Sequence, residues 1–177
     1  MNRVGGNVTD LCWVIDEAIP LTPALTPLLG NVRLLPGRDI GPAVVENADV
    51  LLVRSVTQVD ETLLAGSAVR FVGTATAGVE HLDVAALARL DIPWASAPGS
   101  NATAVVEYVL SAIAMSGYFE SILCGAPVGI VGLGAVGGQV ARRLLSLGCQ
   151  VVGYDPLVTH WPTGVLRGDL KEVLSQT

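Results

Sequence analysis

The sequence predicts an α/β protein built on parallel sheets, a complete doubly wound layer followed by the first part of a second one. Three observations carry this. Short apolar runs recur at 12–15, 32–35, 50–53, 71–74 and 93–96; segments of helical character separate them; and a strand, glycine turn, helix, strand pattern begins at 128. Strands of a parallel sheet are covered on both faces and so read as continuous apolar runs. Five such runs with crossovers between them make one doubly wound layer.

Between the first five runs, 22–29, 42–47, 61–65 and 84–90 read as short amphipathic helices bounded by Gly, Pro, Asp or Asn. A Pro98-Gly99 turn then leads into 102–118, with Ser100 or Asn101 placed to cap a helix. Glu107 is the only acid inside that run, so the helix is expected to be buried between domains or subunits. The domain boundary therefore falls near Pro98, giving domains of 1–98 and 99–177.

The second unit opens with a strand at 128–131, turns at glycines, and continues as a helix that ends at Gly148. Val136, Val140, Leu144 and Leu147 fall on one stripe of that helix. A strand at 150–154 closes on Asp155, and a short helix follows at 169–176. The spacing leaves no room for a third strand.

Composition narrows the function. Of the 177 residues 51% are hydrophobic and 15% charged, too apolar for disorder. The net charge of −6 argues against general nucleic-acid binding, which needs clustered cations. Positions 121–141 carry no charge, yet Pro127 and six glycines in that stretch oppose a membrane helix. Cys12, Cys124 and Cys149 form no CxxC pair and read as buried thiols in a reducing compartment, and no metal ligand set is present. The start of the chain lacks the apolar core and cleavage pattern of a secretory signal.

The chemistry concentrates at three places. Gly132, Gly134 and Gly137 form GxGxxG between a strand and a helix. The first permits the tight turn, the second lets backbone amides approach a pyrophosphate, and the third lets helix and strand pack closely. The 132–137 loop, with Leu133, Ala135 and Val136 between the glycines, is thus a pyrophosphate cradle at a helix N-terminus. Asp155, 23 residues after Gly132, stands where a carboxylate accepts the adenosine ribose hydroxyls and repels a 2′-phosphate, which favours NAD over NADP. Arg142 and Arg143 nearby offer the opposite preference. The alternative for Asp155 is a turn residue ahead of Pro156.

Two further loops follow strands, on the edge where parallel sheets bind ligands. Arg54-Ser55-Val56-Thr57 offers a cation and hydroxyls, and Thr74-Ala75-Thr76-Ala77-Gly78 offers hydroxyls and open backbone. Local caps for Ser55 and Thr76, and a surface acid for Arg54, are the alternative. His81, between Glu80 and Leu82, reads as a loop histidine holding its own turn; His160 has no partner motif.

RSVT at 54–57, GTATAG at 73–78 and APGSNA at 97–102, within the longer segments 34–40, 51–83 and 96–113 and together with VGIVGLGAVG at 128–137, closely resemble the D-isomer-specific 2-hydroxyacid dehydrogenases. The resemblance implies a flavodoxin-like substrate domain followed by the first half of a Rossmann NAD-binding domain. It also implies a cytoplasmic oxidoreductase that passes hydride from a small phosphorylated 2-hydroxy acid to NAD, homodimeric at full length. Carried over, Ser55 and Thr76 become substrate-binding positions, with Ala77 and Gly78 near the substrate carboxylate; Arg54 is added as an anion partner on chemical grounds. The family's catalytic Arg, Glu and His belong to a later part of the nucleotide domain, so no catalytic residue is expected within these 177 residues and no activity from them alone. Residues 1–11 read as an extension ahead of the family's usual start. Another 2-hydroxy acid, of phosphoglycerate or glyoxylate type, and a non-catalytic nucleotide-binding or dimerisation module are the alternatives.

Overall fold

The computed structural model describes residues 8–175; most of the expected extension at 1–11 lies outside the described residues. The chain divides into two compact units, Met1–Pro98 and Gly99–Thr177.

The first unit holds five strands: β1 (Cys12–Asp16), β2 (Asn31–Leu35), β3 (Val50–Val53), β4 (Phe71–Thr74) and β5 (Trp94–Ala95). All pair in parallel, in the order β2-β1-β3-β4-β5, so the chain winds first to one side of β1 and then to the other. Helices α1 (Pro42–Val45), α2 (Glu61–Leu64) and α3 (Val84–Arg89) fill the crossovers. Asp60 and Asp83 start α2 and α3 by accepting from the backbone N–H three residues on, at 2.9 and 2.8 Å. Val14, Leu51, Val53, Val59, Val72 and Leu87 lie at the centre of the core.

Two expectations for this unit need correction. The segment 22–29 forms only a short 3₁₀ turn, Thr26–Leu28. Pro23 and Pro27 fall four apart there, and each removes a backbone donor that a helix would use. Strands β2 and β5 are present but not buried: they are the two sheet edges, with Val32, Leu34 and Trp94 exposed.

The second unit contains α4 (Ala102–Met115), α5 (Phe119–Leu123), β6 (Val128–Val131), α6 (Gly137–Ser146), β7 (Val151–Tyr154), β8 (Leu166–Arg167) and α7 (Leu170–Leu174). A third strand does exist. β8 pairs in parallel with β7, giving the order β6-β7-β8. Two residues carry no periodicity, so the sequence could not announce it. What holds it is the preceding loop, where the Trp161 Nε1–H donates to the Val165 carbonyl at 2.8 Å and the Arg167 guanidinium lies 4.2 Å over the Trp161 ring. Asp169 and Glu172 then form a reciprocal capping box that starts α7.

Helix α4 ends at Met115, just before Gly117 at φ 83°, rather than running to 118. Asn101 occupies its N-cap position without a side-chain bond. The expected burial is one-sided: Ala102 and Val106 are buried, whereas Tyr108 and Met115 are 75% and 88% exposed. The stripe expected on α6 buries Val140 and Leu144, with Leu147 beyond the helix end and exposed. Of the cysteines only Cys149 is buried; Cys12 is half-buried and Cys124 exposed, and all three are free. No helix among the described residues is long and apolar enough to cross a membrane, and they contain no metal-ligand cluster.

Candidate functional site

The glycine loop of the second unit is assembled by its neighbours. The Gly132 N–H donates to the Tyr154 carbonyl at 2.8 Å, extending the β6–β7 pairing one residue past the strand. Gly132 then turns through φ 89°, a conformation that favours glycine. A Cβ on Gly137 would run into the Gly132 carbonyl oxygen, so the first turn of α6 can lie this close to the strand end only without a side chain. Gly134 is different: a Cβ there would meet nothing within 4 Å. The space in front of it is open.

Within that space the backbone amides of Gly134, Ala135 and Val136 donate to no described residue. A groove of about 530 Å³ borders the loop, lined by Val131, Gly132, Gly134 and Val136 among others and largely apolar. Exposed unpaired amides at the N-terminus of a ten-residue helix suit a diphosphate. A dinucleotide fits the donor set: Gly134, Ala135 and Val136 supply amides, and Gly134 leaves the room.

Asp155, at the end of β7, is tied into the same loop. One carboxylate oxygen accepts from the Leu133 N–H at 2.7 Å; the other accepts from the N–H groups of Leu157 and Val158 at 2.8 and 3.0 Å. These bonds, led by that of Leu133, hold its pKa below the usual carboxylate value, against a smaller opposing effect of burial. Asp155 therefore performs the turn role and clamps the glycine loop. A carboxylate has about four acceptor positions, so roughly one stays available for a ribose hydroxyl.

In the first unit the two candidate loops lie side by side because β3 and β4 are adjacent and parallel, with Val53 opposite Thr74. The Ala75 N–H donates to the Val53 carbonyl at 3.0 Å, carrying the pairing into the loops. Arg54 and Ser55 are exposed, and Arg54 makes no ion pair among the described residues. Thr57 instead is buried and donates its hydroxyl to the Gly37 carbonyl at 2.8 Å, fixing the base of that loop. Thr76 and Gly78 are half-buried and Ala77 exposed. The Glu80 carboxylate packs against the Cα side of Gly78, so an anion bound at 77–78 must displace it.

The sequence reading missed His81. The residue is buried, with 5% relative exposure, and its Nε2 lies 2.8 Å from the Thr74 hydroxyl rather than bonding its own turn. Thr74 in turn lies 2.7 Å from the Thr76 hydroxyl, which donates to the Gly78 carbonyl at 2.9 Å. Nothing in the one-dimensional spacing signals this contact, which exists because the loop after β4 folds back over the strand end. His160, by contrast, is exposed and among the described residues reaches only the Thr159 hydroxyl.

The family model for the D-isomer specific 2-hydroxyacid dehydrogenase catalytic domain matches residues 38–166, most of the chain, including both loops and the glycine turn. The chain belongs to the D-isomer-specific 2-hydroxyacid dehydrogenase family. Among members, the chain is 51% identical over 147 residues to an erythronate-4-phosphate dehydrogenase of Teredinibacter turnerae, covering 83% of this chain and 39% of that protein. It is 49% identical over 144 residues to the enzyme of the same name from Enterobacter sp. strain 638, covering 81% and 38% respectively. The chain thus spans about two fifths of the length of these relatives. In fold it resembles an NAD+-bound 3-phosphoglycerate dehydrogenase of Entamoeba histolytica, with TM-score 0.73, 22% identity, and 94% of this chain and 60% of that one covered. The corresponding values for D-lactate dehydrogenase of Aquifex aeolicus are 0.68, 18%, 94% and 58%. The parallel-sheet architecture is therefore that of this family.

Proposed function

We propose that the protein is an oxidoreductase that oxidises 4-phospho-D-erythronate to the 2-oxo acid with NAD, a cytoplasmic step of pyridoxal phosphate synthesis. The observation that carries this reading is the roughly 50% identity to proteins named erythronate-4-phosphate dehydrogenase. The geometry agrees with it in both units. We assign residues 1–98 to the substrate and residues 99–177 to the dinucleotide.

In this assignment the first unit binds the hydroxy acid. Thr76 and Ser55 supply hydroxyl donors, the backbone at Ala77 and Gly78 receives the carboxylate, and Arg54, unpaired and exposed, meets an anionic oxygen. In the second unit Gly134, Ala135 and Val136 hold the diphosphate, and Leu133 is kept in place by Asp155. Bound NAD would supply the hydride acceptor. The Asp155 carboxylate, kept ionised by three backbone N–H groups, accepts a ribose hydroxyl and disfavours a 2′-phosphate.

Oxidising an alcohol also needs a base for the hydroxyl proton and a cation opposite the developing charge. His81 is committed to Thr74, and His160 stands exposed, bonded among the described residues only to Thr159. We therefore propose that residues 1–177 alone bind both ligands but do not turn over. Purified polypeptide is mixed with NAD and 4-phospho-D-erythronate, NADH is followed by absorbance, and each ligand is titrated separately by calorimetry. Binding without NADH formation is the expected result. NADH formation overturns the proposal that residues 1–177 do not turn over, and a panel in which another 2-hydroxy acid binds more tightly overturns the substrate.

A further inference from the structure

The hydroxyls of Thr74 and Thr76 have one proton each, and that count gives the network around His81 a direction. The Gly78 carbonyl has no proton, so the Thr76 hydroxyl donates to it at 2.9 Å. Its only proton is then used. Across the 2.7 Å contact Thr74 must therefore donate to Thr76. That consumes the Thr74 proton, so across the 2.8 Å contact the donor must be the Nε2–H of His81. The chain runs from His81 through Thr74 and Thr76 to Gly78.

The backbone that carries the imidazole is tied to the neighbouring stretch of chain. The His81 carbonyl accepts from the Val59 N–H at 2.8 Å, and the Asp83 N–H donates to the Val59 carbonyl at 2.8 Å. Val59 and Leu82 on either side of this bridge are buried in the core. Burial pushes the His81 pKa down, against a smaller upward pull from Glu80, so near neutral pH the ring keeps a single N–H.

We propose that His81 is a positioning residue that, through Thr74, fixes the Thr76 hydroxyl as a hydrogen-bond donor to an anionic oxygen of the substrate. The inference rests on the assignment of Thr76 to the substrate made above. When the ligand arrives, the Thr76 proton turns from the Gly78 carbonyl to the ligand oxygen, while the links from His81 and Thr74 stay in place. Because the Thr76 oxygen already accepts from Thr74, its O–H is polarised toward the ligand. The position thus offers a carboxylate or phosphate oxygen a donor whose own oxygen is already held by Thr74.

Two measurements on the 177-residue polypeptide test this. Long-range ¹H–¹⁵N NMR of the unmodified chain near neutral pH reads which ring nitrogen of His81 carries the proton. Calorimetry with 4-phospho-D-erythronate compares the wild type with Thr74→Val, His81→Phe, His81→Gln and Thr76→Val. The expected result is a proton on Nε2, about tenfold weaker binding for Thr74→Val and His81→Phe, and recovery in His81→Gln, whose amide can still donate. A proton on Nδ1, or undiminished affinity in Thr74→Val, overturns the proposal. Undiminished affinity in Thr76→Val, or no binding by the wild type, instead overturns the substrate assignment, and the tautomer then still decides the direction of the chain. Should His81→Phe fail to fold, Thr74→Val, which preserves shape, carries the test.

Discussion

Gly137 and Gly134 are both glycines of one loop, yet the structure gives them opposite consequences on substitution. In Gly137→Ala the new Cβ collides with the Gly132 carbonyl, a backbone atom that cannot rotate away, and the nearest further atom is Ile130 Cγ2 at 3.4 Å. Relief requires moving the first turn of α6 off β6, the kind of overpacking that costs about 1–3 kcal/mol. Higher helix propensity returns at most about 1 kcal/mol, and less at the first helical position. Because the clash is with a backbone oxygen, the cost lies in the upper part of that range, and a net loss of about 1–2 kcal/mol lowers the melting temperature of a unit of this size by roughly 4–15 °C. In Gly134→Ala the Cβ enters open space and the backbone needs no left-handed conformation, so the melting temperature should stay within about 2 °C of the wild type. That methyl stands where the diphosphate is proposed to lie, and NAD affinity should fall at least about tenfold. Differential scanning calorimetry and NAD titration on both variants make the comparison. Equal melting temperatures for Gly137→Ala and the wild type, or full NAD affinity in Gly134→Ala, would refute the reasoning.

Three further outcomes are expected. Asp155→Asn retains acceptor capacity on one side only, so it should loosen the Leu133 contact and narrow the preference for NAD over NADP, read by parallel titration with the two dinucleotides. Stability should fall on acidification in two windows, followed by urea melts against pH. His81, with its pKa depressed in the fold, contributes fully above the ordinary histidine value and loses that contribution as pH falls below it. Asp155, depressed from the ordinary carboxylate value, loses its contribution at lower pH still, as pH falls through its folded value. Denaturation profiles flat from neutral to acidic pH would contradict both. Glu80→Gln removes the carboxylate packed on Gly78 and should strengthen binding of 4-phospho-D-erythronate about threefold by calorimetry, with little change in melting temperature.

What could be read in the sequence was whatever chemistry leaves at fixed short spacing. Gly132, Gly134 and Gly137 are a one-dimensional record of a turn, an approach and a packing contact, and the β6 and β7 runs beside them are apolar throughout. The runs of the first unit were equally legible as strands, but the burial of β2 was not, because an edge strand and an inner one share the same composition. Residues 22–29 read as a bounded amphipathic helix, while Pro23 and Pro27 decide the backbone. β8 depends on Trp161 and Arg167 meeting across a loop, and two residues carry no pattern. The site divides in the same way. The candidate loops lie at strand ends, where the order of elements places them. The bonds between His81 and Thr74 and between Asp155 and Leu133 join residues 7 and 22 apart, through the fold alone.

The central claim is that the 132–137 loop and Asp155 form an NAD site. It is tested most directly by titrating NAD and NADP into the ¹⁵N-labelled polypeptide and following its backbone amides. The account predicts that NAD shifts the amides of Gly134, Ala135 and Val136 together with those around Asp155, and that NADP does so only at concentrations about tenfold higher or more. NAD-induced shifts that leave these amides unmoved, or equal response to NADP, would contradict it.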